Sequence, residues 1–208
     1  MSDKPRHYVF DFDKTLIDPD STLGFFLFKQ KPLKQWMIIL HYGLMALMRR
    51  LGFVSKRQVK LQLFNVWFSH FNEIELSVRG NQYSKSLRLN KLGTALQQGF
   101  IGNNARLWVV TASLSVWVDP LFDGLNVEVI GSKLVKNERG KWCFKFHCMG
   151  EYKARALRER GIIQIHRVYT DGWDDVSLVQ MSDEWHGVYK GQVVEIGRGL
   201  ITFESWAK

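Results

Sequence analysis

The feature that most constrains the fold is an apolar run near the start of the chain that ends in two aspartates. Residues 9–17 read Val-Phe-Asp-Phe-Asp-Lys-Thr-Leu-Ile, so Asp11 and Asp13 are two residues apart and Thr15 follows. Side chains alternate along a strand, so both carboxylates point to the same side. One can attack a phosphorus atom while the other transfers the proton of the leaving group, with a divalent cation neutralising both. A strand and a turn, with Asp and Thr as cap residues, is the alternative interpretation.

Three later segments place polar groups beside apolar elements. The predicted strand 106–110 ends at a hydroxyl-bearing segment, 111–113, and the short strand 167–169 leads into an acidic cluster, 171–175. Lys153 opens a predicted helix, 153–160. Because a parallel α/β sheet gathers its site at the carboxyl ends of its strands, we expect these groups to converge. Each of these groups also has a structural interpretation. The hydroxyl residues could cap the end of a strand, Lys153 could be a solvated helix residue, and the aspartates could form a turn.

The ordered set of carboxylate pair, hydroxyl, lysine and acidic cluster resembles the haloacid dehalogenase superfamily of phosphohydrolases, over roughly residues 8–178. Within it the chain resembles the branch containing phosphoserine phosphatase, whose lysine motif is similar to residues 147–153. The resemblance implies an α/β fold: a Rossmann-like core with a parallel sheet flanked by helices, and an α-helical cap inserted after the first strand. The core is expected at residues 1–20 and 86–208, and the cap at 21–85. The position of Asp13 is not acidic in the superfamily's dehalogenases, so Asp13 indicates phosphoryl transfer.

The resemblance also implies roles for individual residues in a phosphomonoester hydrolase that works through an aspartyl-phosphate. Asp11 is expected to be the nucleophile and Asp13 the general acid, later the base that activates water. The other expected catalytic residues are Thr111 and Lys153, which would contact the phosphoryl group. A Mg²⁺ ion is the expected cofactor, held by Asp11, the backbone carbonyl of Asp13, Asp171 and Asp175. The expected phosphate-binding residues are Phe12, Thr15, Thr111, Ala112, Ser113 and Lys153.

The charge distribution indicates which kind of molecule the predicted cap attracts. The chain carries a formal charge of +9, and residues 21–72 hold eight Lys or Arg and no Asp or Glu. A basic cap over a phosphate site would attract a small anionic phosphomonoester, or bring the protein to an anionic membrane surface. A non-catalytic basic module that binds nucleic acid or a membrane is a further alternative. A mere scaffold would not need every acidic, hydroxyl and lysine position, so nucleic acid is the less favoured partner.

Residues 35–48 of the predicted cap are uncharged and largely apolar, and Lys34 and Arg49–Arg50 bracket them. As a helix this stretch is about 21 Å long, against about 30 Å of hydrocarbon in a bilayer, so it is short for a membrane span. We favour a cap helix buried against its neighbours. The alternative is a helix that lies in a bilayer interface.

The substrate is less constrained than the reaction. Asp20 follows Asp11 by nine residues, where phosphoserine phosphatases carry an acidic group facing the substrate ammonium, so it is the expected substrate-binding residue. Asp20 also fits the N-cap of the first cap helix, which we favour. The apolar, basic cap resembles that of bacterial phosphatidylglycerophosphate phosphatases in the same branch. A lipid phosphate hydrolysed at the inner membrane surface is therefore the alternative to a small, phosphoserine-like substrate.

The remaining segments complete the expected fold and setting. Residues 73–100 read as a helical return from the cap, 127–130 as a strand, 133–146 as a hairpin, and 185–203 as a last parallel strand with a terminal β-hairpin. Cys143 and Cys148 lack the spacing of a zinc site. No signal peptide is expected, since the first apolar run carries the aspartate pair. We therefore expect a cytoplasmic protein with free thiols. The alternative is a protein that also contacts the inner membrane peripherally.

Overall fold

The structure is a computed structural model that describes residues 5–99 and 104–206, and it contains a seven-stranded sheet. The strand order is β4-β3-β2-β1-β5-β6-β7, parallel from β3 to β6 and antiparallel at both edges. The predicted α/β class with a parallel core sheet is confirmed. The strands are β1 (Arg6–Phe10), β2 (Ala105–Leu114), β3 (Val127–Lys136), β4 (Trp142–Phe146), β5 (Ile165–Thr170), β6 (Ser182–Tyr189) and β7 (Gln192–Gly197).

Helices cover the sheet and form a layer over one of its ends. Four of them, α1 to α4, lie within the segment 21–85 that was predicted to be the cap. The helices are α1 (Ser21–Leu27), α2 (Pro32–Arg50), α3 (Lys56–Trp67), α4 (Glu73–Ser84), α5 (Lys91–Gln97), α6 (Ser115–Phe122), α7 (Glu151–Arg158), α8 (Val176–Val179) and α9 (Leu200–Trp206).

Local sequence explains where the cap helices begin. Ser55 and Gln58 form a reciprocal capping box at α3, and Asn72 and Glu75 do the same at α4. Pro32 occupies the first turn of α2, where a missing N–H costs nothing. The interior of the cap is aromatic and continuous with the core. Rings from the cap and from α6 form one aromatic cluster there, which consists of Phe25, Phe26, Phe64, Phe68 and Trp117.

The sheet brings the predicted motifs to one edge. Strand β1 lies between β2 and β5, with Phe10 opposite Val109 and Tyr169. The N–H of Asp11 donates to the carbonyl of Tyr169 at 2.9 Å, which continues the β1–β5 pairing up to the first motif. The segment 111–113 belongs to the end of β2, where the pairing with β3 shifts register after Val110. The ends of β1, β2 and β5 are therefore side by side.

The C-terminal prediction was partly wrong. Strands β6 and β7 form the expected hairpin around Lys190 and Gly191, but residues 200–206 form helix α9 instead of another strand. Phe203 is fully buried, and its ring and that of Trp206 lie 5.3 and 5.5 Å from the Trp185 ring. The two aromatic residues are three positions apart, so a helix turns both toward Trp185, which a strand cannot do.

The favoured interpretation of α2 was also wrong. Only Ile38 and Met45 of this helix are buried, and the opposite face is exposed apolar surface. The return from the cap is two helices, α4 and α5, and its predicted end at Phe100 lies outside the described residues. Within the described ranges, every helix is too short or too polar to span a bilayer.

Candidate active site

A cavity of about 300 Å³ opens where the cap lies over the carboxyl ends of β1, β2 and β5. It gathers residues from all four predicted motifs, together with side chains of α2 and α3. Its lining consists of Asp11, Asp13, Lys14, Asp20, Thr22, Tyr42, Ala46, Arg49, Lys56, Val59, Lys60, Thr111, Ala112, Met149, Lys153, Asp171, Asp174 and Asp175.

Lys153 is the centre of the charge arrangement on the core side. Its Nζ lies 2.6 Å from Asp11 Oδ1 and 2.5 Å from Asp175 Oδ1, and the lysine is buried. Thr170 Oγ1 donates to the other carboxylate oxygen of Asp175 at 2.7 Å and fixes its orientation. Burial disfavours the charge of Lys153, but attraction to the two carboxylates outweighs it and raises the pKa of the lysine. The group stays an ammonium beside Asp11.

Two carboxyl groups of the cavity, Asp11 and Asp171, have raised pKa values. Burial raises the pKa of Asp11; Lys153 opposes that rise, and the charges of Asp175 and Asp171 increase it. Burial and the nearby Asp175 raise the pKa of Asp171 to about 6. A cation in this cavity would relieve the repulsion between these side chains.

The oxygen donors around the cavity suit Mg²⁺ by type. Within residues 5–99 and 104–206, no three acidic, His or Cys side chains already stand close enough to enclose a metal ion. Mg²⁺ is commonly held by one or two carboxylates together with substrate phosphate and water, so a closed protein cage is not required. Asp11 and Asp171 line the cavity beside Asp175 and provide that kind of partial donor set.

Asp13 is held by a hydrogen-bond network that joins the cap to the core. Its carboxylate accepts from the N–H of Ser21 at 2.7 Å and from the hydroxyl of Ser113 at 2.5 Å. The two serine hydroxyls are 2.8 Å apart, and the indole N–H of Trp117 donates to Ser21 Oγ at 3.1 Å. Burial and Asp20 raise the pKa of Asp13, while the two serines lower it. A carboxyl group with these partners is fixed in place at the cavity.

The predicted phosphate-binding residues divide into two sets. Thr111 and Ala112 line the cavity beside Lys153. Phe12, Thr15 and Ser113 are fully buried and lie outside the lining of the cavity. The hydroxyl of Ser113 is hydrogen-bonded to Asp13 and Ser21, and phosphate binding by Ser113 stays a prediction. The side chains of Phe12 and Thr15 are packed away from the cavity.

Asp20 does what the favoured interpretation expected. Its Oδ1 accepts from the N–H groups of Thr22 and Leu23 at 2.8 and 3.2 Å, which caps α1. The residue also lines the cavity, where burial and the charge of Asp20 raise the pKa of Tyr42 to about 12. A capping role and a place at the cavity are therefore compatible for Asp20.

Sequence reasoning missed the residues that form the roof of the cavity. Tyr42 and Arg49 project from the inner face of α2, and Lys56 and Lys60 from α3. Lys60 donates to the carbonyl of Ala112 at 3.0 Å, and Lys56 forms an ion pair with Asp174, so both lysines bridge cap and core. Helical spacing was the available signal, since 42 and 49 are seven residues apart and 56 and 60 are four apart.

A sequence profile of the haloacid dehalogenase-like hydrolases matches residues 8–180, most of the chain. The chain belongs to this family. The predicted superfamily is confirmed, and the protein is a hydrolase. No curated protein sequence matches this hydrolase.

Solved structures share its fold at low sequence identity. A phosphoserine phosphohydrolase-like protein from Francisella tularensis subsp. tularensis SCHU S4 aligns with a TM-score of 0.59 at 20% identity, over 88% of this chain and 86% of its own. A substrate-bound phosphoserine phosphatase gives 0.60 at 14% identity, over 99% of both chains. A protein of unknown function from Bordetella pertussis Tohama I gives 0.64 at 18% identity, over 85% and 86%. These similarities establish the fold of the hydrolase.

Proposed function

We propose that this hydrolase is a Mg²⁺-dependent phosphatase that cleaves a small organic phosphomonoester through an aspartyl-phosphate on Asp11. The observation that carries the proposal is the 2.6 Å contact between Lys153 and Asp11, residues 142 positions apart, in a cavity that Asp13 also lines. A nucleophilic carboxylate, a fixed ammonium and a second carboxyl group are the parts that phosphoryl transfer needs.

The reaction divides into two displacements. In the first, an oxygen of Asp11 forms a bond to phosphorus, the bond to the ester oxygen breaks, and Asp13 gives its proton to the leaving alcohol. In the second, Asp13 takes a proton from water, the water oxygen bonds to phosphorus, and the bond to Asp11 breaks. Lys153 remains beside the reacting carboxylate and offsets its repulsion with the phosphate. Thr111 and Ala112 line the same cavity, and in this proposal they contact the phosphoryl oxygens.

Mg²⁺, when bound, would supply charge neutralisation between the phosphate and the carboxylates. Asp11, the backbone carbonyl of Asp13 and Asp171 are the proposed ligands, with Asp175 supporting the ion or its waters. These are oxygen donors of the kind that a hard cation prefers.

The lining of the cavity supports a small substrate with its own charges. The core side supplies acidic groups and Lys153, whereas Arg49, Lys56 and Lys60 come from the cap. In this proposal Asp20 binds an ammonium group of the substrate, and Lys60 or Arg49 binds a carboxylate or a second phosphate. A phosphoserine-like compound has this charge pattern, and the names of two of the similar structures point to the same substrate class.

A lipid phosphate is the second candidate substrate. The observation that favours it is that α2, which lines the cavity with Tyr42 and Arg49, presents an apolar face to solvent on its other side. The two candidates are separated by comparing the hydrolysis of phosphatidylglycerophosphate in vesicles with that of phosphoserine, sugar phosphates and nucleotides in solution.

The proposal is tested by phosphate release from an aryl phosphate with and without Mg²⁺. Asp11→Asn should lower kcat by at least about a thousandfold and abolish a base-labile phosphoenzyme, because the amide is a poor nucleophile. Asp18→Asn is the matched control, since Asp18 is exposed and lies in the same loop outside the cavity. Mg²⁺-independent hydrolysis, or full activity in Asp11→Asn, would contradict the proposal.

A further inference from the structure

The exposed face of α2 carries a continuous apolar row. Six of its side chains are between 51% and 76% exposed, and they recur at intervals of three and four residues. At 3.6 residues per turn, this spacing places them within a stripe about 100° wide along one side of the helix. The residues of this apolar row are Leu33, Trp36, Met37, Leu40, Leu44 and Leu47.

The opposite face of α2 packs against the rest of the protein. Ile38 and Met45 are buried in the main hydrophobic cluster, and Tyr42 and Arg49 line the catalytic cavity. The helix therefore cannot rotate to bury its apolar row without losing both sets of contacts. Solvent-facing Leu, Met and Trp side chains in an unbroken row mark a surface that is covered by something else.

The borders of the apolar row carry only positive charge. Lys31 and Lys34 lie at the start of α2, and Arg50 lies at its end. Within the described part of the chain none of these three forms an ion pair. The whole segment 21–72 contains no acidic residue to neutralise them.

This charge pattern decides between the occupants of the surface. If two copies of the chain met through their apolar rows, their cationic borders would face each other with no acidic group between them, and like charges would repel. An anionic bilayer instead offers an apolar interior beneath a layer of phosphates, which complements a leucine-rich row bordered by Lys and Arg.

We propose that the apolar row of α2 docks this protein on the surface of an anionic lipid bilayer. The helix lies flat, with Leu40 and Leu44 at the middle of the inserted row and Lys31, Lys34 and Arg50 at the lipid phosphates. The catalytic cavity then lies behind the helix, about one helix diameter, roughly 10 Å, from the lipid surface. Docking does not require the proposed phosphatase activity.

The test is co-sedimentation of the full chain with vesicles of equal parts phosphatidylglycerol and phosphatidylcholine, compared with phosphatidylcholine alone. We expect binding to the anionic vesicles about tenfold or more tighter, and weakening as salt is added. Leu40→Gln with Leu44→Gln should lower vesicle affinity about tenfold or more, because apolar burial is lost while helix propensity is kept. Ile163→Gln with Ile201→Gln is the matched control, since both isoleucines are exposed elsewhere on the molecule.

A second pair of variants tests the charged border. Replacing Lys31, Lys34 and Arg50 by Gln should remove the preference for anionic vesicles. In the control variant, Gln replaces three exposed basic residues of the core, Lys91, Arg139 and Lys141. Both triple variants therefore lose the same net positive charge.

Equal vesicle binding by the α2 variants and their controls would overturn the proposal. So would a concentration-dependent dimer that the Leu40 and Leu44 substitutions dissociate, without vesicle binding by the wild-type chain. Hydrolysis of a soluble aryl phosphate should be unchanged in the Leu40 and Leu44 variant. A loss of docking is thereby distinguished from a failure of the proposed activity.

Discussion

At the scale of single residues, the position of Asp13 depends on serines that do not reach the cavity. Ser113 and Ser21 occupy both oxygens of the Asp13 carboxylate, at 2.5 and 2.7 Å. A general acid must aim its proton at the leaving oxygen, and two short hydrogen bonds limit the directions open to the carboxyl group. If Asp13 is the general acid, as proposed, the hydroxyl of Ser113 acts on the reaction by orienting Asp13.

Ser113→Ala should therefore slow the hydrolysis of an alkyl phosphate about tenfold to a hundredfold, and that of a nitrophenyl phosphate much less. Nitrophenolate leaves without a proton, whereas an alkoxide needs the acid, so the loss of a correctly oriented Asp13 affects mainly the alkyl ester. The measurement is kcat for both esters.

Ser182→Ala is the control, because the hydroxyl of Ser182 donates to the backbone carbonyl of Val179 and lies outside the lining of the cavity. Equal loss on both esters, or the same loss in Ser182→Ala, would mean that Ser113 contributes stability alone.

At the scale of elements, the contact between α4 and α6 depends on a glycine. A Cβ placed on Gly80 would lie 2.6 Å from the carbonyl oxygen of Val116 and 2.8 Å from its Cγ2. The backbone of α6 cannot yield as a flexible side chain can, so the two helices approach this closely only because residue 80 has no side chain. Gly43, in the exposed part of α2, has no described atom within 4 Å of its Cβ position.

The same substitution should therefore have opposite effects at these two helical positions. Gly80→Ala should lower the free energy of unfolding by about 1–3 kcal/mol, since overpacking outweighs the gain in helix propensity. Gly43→Ala should raise it by about 0.5–1 kcal/mol, since the propensity gain meets no clash. Urea denaturation of both variants measures the two changes. A stabilised Gly80→Ala protein would show that α4 and α6 are not in tight contact.

The elements also show what a single sequence can predict here. Asp11, Lys153 and Asp171 were predicted together because each follows a local strand or helix signal, and the carboxyl edge of a parallel sheet is a general rule. The exposure of α2 fits only the less favoured of the two sequence interpretations, because a periodic apolar row shows that a helix has two faces but not which face its neighbours cover. Helix α9 was missed because its short apolar pattern fits either period.

At the scale of the whole molecule, the cap and the core divide the charges of the cavity between them. The core side holds Asp11 and Asp13, and the cap contributes Arg49, Lys56 and Lys60. The basic excess of the segment 21–72 could be read from the sequence, but its placement over the carboxylates depends on long-range packing. In the proposed reaction, the cap would attract the anionic substrate while the phosphate meets the carboxylates.

Two lysines of α3 connect the cap to the core, and we expect these contacts to favour a closed cap. Lys60 donates to the carbonyl of Ala112 at 3.0 Å, and Lys56 pairs with Asp174 at the more exposed rim. An exposed ion pair contributes about 0.2–1 kcal/mol, enough to change the ratio of closed to open cap up to about fivefold. The rim pair is therefore a suitable place to alter closure without touching the reacting groups.

Reversal of the rim pair should separate closure of the cap from simple attraction of the substrate. Asp174→Lys adds positive charge beside the cavity, so attraction alone predicts a higher kcat/KM for an aryl phosphate. Loss of closure predicts instead a decrease of about threefold to fivefold, and we expect this decrease, because the new lysine repels Lys56. Lys56→Glu should decrease kcat/KM as well, and the double variant should return to within about twofold of the wild-type value, since it restores an opposite pair with unchanged net charge.

Arg57→Glu is the matched control for charge, because Arg57 neighbours Lys56 in sequence, packs over the ring of Phe144 and forms no ion pair among the described residues. Additive effects of the two reversals, with no recovery in the double variant, would show that the pair does not hold the cap closed.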